Sequence, residues 1–274
     1  MDETPTGTQP ATSRIDTSVA HPARRYDYFL GGKDNFAADR ESADRMMTAL
    51  PTARVSALEN RRFLRRAVEH LAGEAGIRQF LDIGSGIPTS PNTHEIAQGI
   101  APDARVVYVD NDPIVLAHAR ALLTSGPEGA TAYVDADLRE PRRILEHPDV
   151  RGTLDLSQPV ALMLVAVLHF IPDTDDPRGL IAPLIQALAP GSYLVLSHAT
   201  LDFMPARAAE HIRSLTSAEG FYPRPRAGIE TLLSGLDPVD PGLVPTPEWR
   251  LQREPAPRPS AADVAGYAAV ARVA

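Results

Sequence analysis

An apolar run that ends in an acidic residue and a glycine turn can recognise a nucleoside, and this chain contains one at Phe80-Leu81-Asp82-Ile83-Gly84-Ser85-Gly86. Glycines there let a ligand come close to the backbone and leave the N–H groups of a following helix free. The dinucleotide fingerprint asks for a third glycine at position 89, where Thr89 stands instead. Pro88 and Pro91 further disturb the start of the next helix. A pyrophosphate cradle is therefore poorly supported, and a ligand with a nucleoside but no phosphates fits better.

Carboxylates follow at the ends of the next apolar runs. In Val106-Val107-Tyr108-Val109-Asp110-Asn111-Asp112-Pro113, Asp110 is placed to accept two hydrogen bonds from a ribose diol. Asp112, just before Pro113, is better suited to capping the next helix. In Tyr133-Val134-Asp135-Ala136-Asp137-Leu138, a carboxylate can accept from an exocyclic amine while Leu138 lends its backbone to the ring edge. Asp137 and Asp135 compete for that role. Val165-Ala166-Val167-Leu168-His169 carries an apolar run into a loop, and Tyr193-Leu194-Val195-Leu196-Ser197-His198 does the same. His169 and His198 are the candidate general bases if the acceptor is a hydroxyl; each can equally be a structural histidine.

One further stretch looks chemical: His21-Pro22-Ala23-Arg24-Arg25-Tyr26-Asp27-Tyr28-Phe29-Leu30-Gly31-Gly32-Lys33-Asp34-Asn35-Phe36. It is not a phosphate loop, which needs glycine where Asp27 stands and Ser or Thr where Asp34 stands. Pro22 at a first helical turn and Gly31-Gly32 as a stop predict a short helix. The segment is expected to fold as a lid over the strand ends. Tyr26 and Tyr28 would then line the pocket, Lys33 would meet a ligand carboxylate and Asn35 would order the loop.

These residues need elements to position them. Helices are predicted through Met46, Met47 and Leu50 to Pro51, and from Val55 to Gly73. Unbroken apolar runs at Phe80–Ile83, Val106–Val109, Ala132–Val134, Val160–Val167 and Tyr193–Leu196 predict parallel strands covered on both faces. Helices are predicted near Asn92–Ile100, Pro113–Leu123, Pro141–His147, Leu180–Leu188 and Phe203–Leu215. The alternation predicts a doubly wound α/β sheet. Val239–Val244 and Tyr267–Val273 lack a crossover helix between them and predict an antiparallel closing pair. Residues 1–14 are expected to be disordered and Pro255–Ser260 to be a loop. The division expected is a tail (1–14), an N-terminal helical lid (15–54) and one α/β domain (55–274).

The formal charge of -8 disfavours a nucleic-acid partner. Arg61-Arg62-Phe63-Leu64-Arg65-Arg66 reads as a solvated helix face. With no cysteine, thiolate nucleophiles and zinc–thiolate sites are excluded. No apolar run is long enough for a membrane span and no signal peptide is evident, so a cytoplasmic protein is expected. Asp173, Asp175 and Asp176 precede Pro177 and read as helix-capping residues; no metal is expected.

The order Asp82-Ile83-Gly84-Ser85-Gly86, Asp110, Asp137, then Val167-Leu168-His169-Phe170-Ile171-Pro172 resembles the Class I S-adenosylmethionine-dependent methyltransferases. The His21–Phe36 signature and the closing Gly242-Leu243-Val244-Pro245-Thr246-Pro247-Glu248-Trp249 resemble, more specifically, the actinobacterial S-adenosyl methyltransferase family. That resemblance implies a Rossmann-like, seven-stranded sheet of order 3-2-1-4-5-7-6 with strand 7 antiparallel, helices on both faces and an N-terminal helical cap. It also implies S-adenosyl-L-methionine as cofactor, held by Asp82, Gly84, Ser85, Gly86, Asp110, Asn111, Asp137, Leu138 and Ala166. The expected reaction is methyl transfer to oxygen or nitrogen of a small-molecule acceptor. The DNA amino-methyltransferase clamp is absent, and cytosine C5 chemistry needs a cysteine that is missing. A non-catalytic S-adenosylmethionine or S-adenosylhomocysteine binder, and an NAD-dependent oxidoreductase, are the alternatives.

Overall fold

The computed structural model describes residues 15–122, 124–250 and 257–274. The tail expected over residues 1–14 and the first part of the loop expected at Pro255–Ser260 lie outside the described residues. Three helices come first: α1 Pro22–Phe29, α2 Ala37–Ala49 and α3 Ala53–Gly73. Pro22 occupies the first helical turn of α1, where its missing N–H costs nothing, and Gly31 at φ +82° turns the chain away. The side chain of Asp39 fixes the start of α2 by accepting from the Phe36 N–H at 2.8 Å.

From position 79 the chain alternates as the apolar runs predict. The strands are β1 Gln79–Ile83, β2 Arg105–Asp110, β3 Ala130–Asp135, β4 Ala161–Val165 and β5 Tyr193–Ala199. Between and after them lie α4 Thr93–Ile100, α5 Pro113–Leu122, α6 Pro141–Glu146, α7 Pro148–Thr153, α8 Pro177–Gln186, α9 Ala206–Ser217 and α10 Arg226–Leu232. The helix expected at Pro141–His147 is observed as α6; it stops at Glu146 because His147 precedes Pro148 and takes extended backbone, ψ 132°, and α7, which the sequence did not mark, starts at Pro148. The strand expected over Val160–Val167 ends at Val165. Ala166 adopts left-handed backbone at φ +56°, and a 3-10 turn follows at Leu168–Phe170.

The last elements are β6 Asp237–Pro238, β7 Val244–Pro245, α11 Ala261–Val264 and β8 Gly266–Arg272. The sheet order is 3-2-1-4-5-8-6, with β7 also paired to β8. β8 runs antiparallel to β5, His198 opposite Tyr267, and carries β6 and β7 on its other edge. The expected order is thus observed, but with eight strands: the strand expected at Val239–Val244 is instead two short pairings flanking a turn. Pro238, Pro241 and Pro245 cannot donate to a ladder, which confines this edge to brief pairing.

Alternation along the strands feeds two cores. Leu81, Val107, Leu162 and Leu194 join Ile144, Ile181, Leu184 and Ile229 of α6, α8 and α10 on one face. Phe80, Val106, Met163 and Val195 join Phe63, Val68, Leu71 and Ala97 of α3 and α4 on the other. Both faces of the sheet are buried, which is why its strands read as continuous apolar runs. What remains for recognition is the carboxyl edge of the strands, with α1 lying across it. Among the described residues no helix is long and apolar enough to cross a membrane.

Candidate functional site

A cavity of about 380 Å³ opens at the carboxyl ends of β1, β2 and β4, and the loop after β3 completes its rim. Its floor is the turn after β1. Gly84 sits at φ +75°, and a Cβ there would lie 2.5 Å from a methyl of Val167, so both conformation and space require glycine. Gly86 donates its N–H to Asp110 Oδ2 at 2.8 Å, and Asp112 donates its N–H to Asp110 Oδ1 at 3.0 Å. Two backbone donors thereby aim the Asp110 carboxylate, which is 6% exposed and whose pKa burial pushes up.

Asp112 separates from this role, as the sequence suggests. Its Oδ1 accepts from the Ile114 N–H at 3.0 Å and caps α5, while its Oδ2 lies 2.8 Å from Arg24 Nε and 3.1 Å from His21 Nδ1. Asp137 and Leu138 line the cavity; Asp135 does not. Asn111 Nδ2 donates to Asp137 Oδ2 at 2.8 Å, and the Arg139 N–H donates to Oδ1 at 2.8 Å. Asp82 is buried beneath the turn and accepts from Thr93 Oγ1 at 2.7 Å; burial pushes its pKa up to about 6. Ser85 and Ala166 complete the walls. Asp82, Gly84, Ser85, Gly86, Asp110, Asn111, Asp137, Leu138 and Ala166 are thus brought together around one cavity.

The N-terminal signature divides. Tyr26 lines the cavity, its hydroxyl donating to Ala57 O at 3.0 Å and accepting from Asn60 Nδ2 at 2.9 Å. Arg24 reaches Asp112 and Asp39; Arg25 donates to Ser42 Oγ at 3.1 Å and Glu219 O at 2.9 Å. These buried polar struts fasten α1 across the strand ends. Tyr28 and Lys33 are not brought to the cavity. The Tyr28 hydroxyl donates to Asp44 Oδ1 at 3.3 Å on the surface, and Lys33 is exposed. The Gly32–Asn35 loop instead wraps the buried Asp27, whose Oδ2 accepts from the Asp34 N–H at 3.0 Å and Asn35 Nδ2 at 2.7 Å. A Cβ on Gly32 would overlap the Asp27 carboxylate, so this Gly-Gly-Lys-Asp-Asn run has a packing purpose of its own.

Arg61 is a cation the sequence reading missed. It lines the cavity and donates to Thr89 O and Pro91 O, tying α3 to the loop after β1. Nor is the rest of its basic run wholly solvated. Arg66 is buried and donates to Trp249 O at 2.8 Å and Thr246 O at 2.9 Å, while Arg62 and Arg65 are exposed. The available signal was helical spacing: Ala57, Asn60, Arg61 and Leu64 fall on one face of α3.

A second cavity of about 110 Å³ lies behind the first and shares with it Pro22, Arg25, Tyr26, Asn60, Ala166 and Phe170. His169 and His198 both border this one, their rings 5.5 Å apart. His198 Nδ1 donates to Ala199 O at 2.8 Å, and its Nε2 accepts from Arg224 Nη1 at 2.8 Å. Burial lowers its pKa to about 4. His169 Nδ1 accepts from the Ala199 N–H at 3.4 Å, and burial holds its pKa well below the usual range. Both rings are neutral near pH 7, and His198 has no lone pair left.

The profile of the S-adenosyl methyltransferase family matches residues 8–274. A DUF574 family protein from Streptomyces avermitilis is 49% identical, over 95% of this chain and 100% of that one, with a TM-score of 0.90. A putative methyltransferase from Thermobifida fusca is 46% identical, over 94% of this chain and 96% of that one, with a TM-score of 0.83. No curated protein matches the chain.

Proposed function

The chain belongs to the S-adenosyl methyltransferase family, and from that premise we propose that it moves a methyl group from S-adenosyl-L-methionine to an oxygen or nitrogen of a small-molecule acceptor. The observation that carries the reading is the aimed Asp110 carboxylate beside the Gly84–Gly86 turn, whose three N–H groups all donate to Val109 O and Asp110 rather than to a phosphate. Asp110 would take the ribose hydroxyls, and Asp137 with the Leu138 backbone would take the adenine edge. Asp82 would face the ammonium group and Arg61 the carboxylate of the methionine portion. The bound cofactor supplies an electrophilic methyl on a sulfonium.

The chain's own contribution is chiefly orientation. Aligning two bound reactants can contribute about 7–11 kcal/mol of a barrier, so no proton-transfer residue is obligatory. Residues 15–54, held by the struts of Arg24, Arg25 and Tyr26, would exclude water from the strand ends as a lid. Isothermal titration with S-adenosylhomocysteine and with NAD is the test. Micromolar binding of the first and none of the second is expected. The reverse order would overturn the proposal in favour of an oxidoreductase, and binding without methyl transfer to any acceptor would leave a sensor.

A further inference from the structure

Resting on that reading, we propose that the second cavity is the acceptor site, and that it takes an uncharged molecule of about one six-membered ring whose nitrogen lone pair receives the methyl group. Position is the first ground. The two cavities adjoin, sharing among their lining residues Tyr26, Asn60, Ala166 and Phe170, so a molecule in the second lies next to one in the first. Ala166 is held in left-handed backbone there, with its N–H 2.9 Å from Ser197 Oγ. Non-glycine residues adopt that conformation at a cost, and such residues concentrate at functional sites.

Size is the second ground. An engineered cavity of about 150 Å³ binds benzene, and this one has about 110 Å³. A single ring, with slight adjustment of the walls, is the size that this volume matches. Charge is the third. Among the described residues no Asp, Glu or Lys borders the cavity, and the one guanidinium that also faces it, Arg25, is engaged by Ser42 and Glu219. An anionic acceptor would find there no cation that is not already paired.

The nature of the attacked atom follows from the protons. A hydroxyl needs a base, and the Ala166–Ser197–Asn60–Tyr26 groups bordering the second cavity already have their protons assigned. The Ala166 N–H donates to Ser197 Oγ, the Ser197 hydroxyl to Asn60 Oδ1 at 2.5 Å, the Asn60 amide to Tyr26 Oη, and the Tyr26 hydroxyl to Ala57 O. The chain runs one way and ends on a carbonyl. His198 has its lone pair on Arg224, and His169, accepting at Nδ1, carries its proton on Nε2. A neutral amine or ring nitrogen requires no base during transfer. Its lone pair forms the N–CH₃ bond as the S–CH₃ electron pair returns to sulfur, so the single positive charge moves from sulfur to nitrogen. Any proton on the product nitrogen leaves to water after release. The rings of Phe170 and Phe221 beside the cavity suit that cation.

The test uses pyridine, phenol, benzoate and quinoline as probes, by ligand-observed NMR on the full chain with and without S-adenosylhomocysteine. Pyridine and phenol are expected to bind; benzoate and quinoline are not. With S-adenosylmethionine present, mass spectrometry should find N-methylpyridinium and no anisole. Ala57→Leu should weaken pyridine at least tenfold while S-adenosylhomocysteine affinity stays within threefold; Leu50→Ala should admit quinoline. Benzoate or quinoline binding to the wild type would overturn the charge or the size assignment. Anisole formation, or no transfer to saturating pyridine, would overturn the nitrogen assignment. Failure of S-adenosylhomocysteine itself to bind would instead sink the underlying reading, since ring binding is measured without it too.

Discussion

The two cavities share a wall and are made in opposite ways. The first is rimmed by strand ends, and each end delivers its chemistry within a few consecutive residues: Asp82 to Gly86, Asp110 to Asp112, Asp137 to Leu138. The second is assembled from Phe29, Met46, Ala57, Phe221 and Gly266, which come from five separate segments. At the first, backbone donors aim Asp110 and Asp137 and leave accepting capacity over; at the second, Ser197, Asn60 and Tyr26 hydrogen-bond in series and end on a carbonyl. A site that must recognise polar atoms is written locally, because the donors that aim a carboxylate come from its own turn. An apolar pocket is what packing leaves between elements.

The comparison breaks most readily at Asp110. Asp110→Ala removes the acceptor of two buried N–H groups together with the grip on the sugar. Losses of this kind cost about 2–3 kcal/mol, so S-adenosylhomocysteine affinity should fall about 30–150-fold by titration calorimetry. Ring binding in the second cavity should not change. A fall of less than threefold would mean that the first cavity is not organised around this carboxylate.

Asp82 sharpens the contrast through pH. Its pKa is raised to about 6 by burial, above the roughly 4 of an unfolded carboxylate. The native state therefore binds the extra proton between about pH 4 and 6, and stability falls as pH rises through that window. Asp82→Asn should remove that fall and raise stability at pH 7.5 by about 1–2 kcal/mol, read by denaturant unfolding at about pH 4 and at pH 7.5. Binding has the opposite slope. The ammonium of the methionine portion favours the ionised carboxylate, so wild-type affinity should rise up to tenfold per unit below about pH 6 and then level off, while the variant's profile stays flat. A flat profile in the wild type would place the ammonium elsewhere.

How much of this was legible in the sequence follows from the same division. The parallel strands, the glycine turn and the carboxylate rim were readable because apolar runs and turn residues act over a few positions. Ala166 was not, since nothing in a run of apolar residues marks where an alanine must turn left-handed. The second cavity had no local signature at all. The Arg61–Arg66 run misled because charge clusters are usually solvated, whereas Arg66 is spent on the carbonyls of Thr246 and Trp249, far along the chain. The Gly-Gly-Lys-Asp-Asn run misled in the other direction: chemistry-rich residues serve there to wrap Asp27.

That last contrast gives the smallest and most discriminating effect. Arg61 lines the first cavity from α3, and Lys33 lies outside it on the loop around Asp27. Removing a charge-assisted hydrogen bond costs about 1.5 kcal/mol, near tenfold in affinity, so Arg61→Ala should weaken S-adenosylmethionine by about that factor. Lys33→Ala should change it less than twofold, since an exposed ammonium beyond contact acts only through screened charge. The pair separates two pictures of the N-terminal segment. With α1 already fastened by buried struts, the loop after it has no reason to move when the cofactor binds. A tenfold loss in Lys33→Ala would show that the loop swings over the cavity on binding, which would require the Asp27 contacts to break and re-form around the ligand.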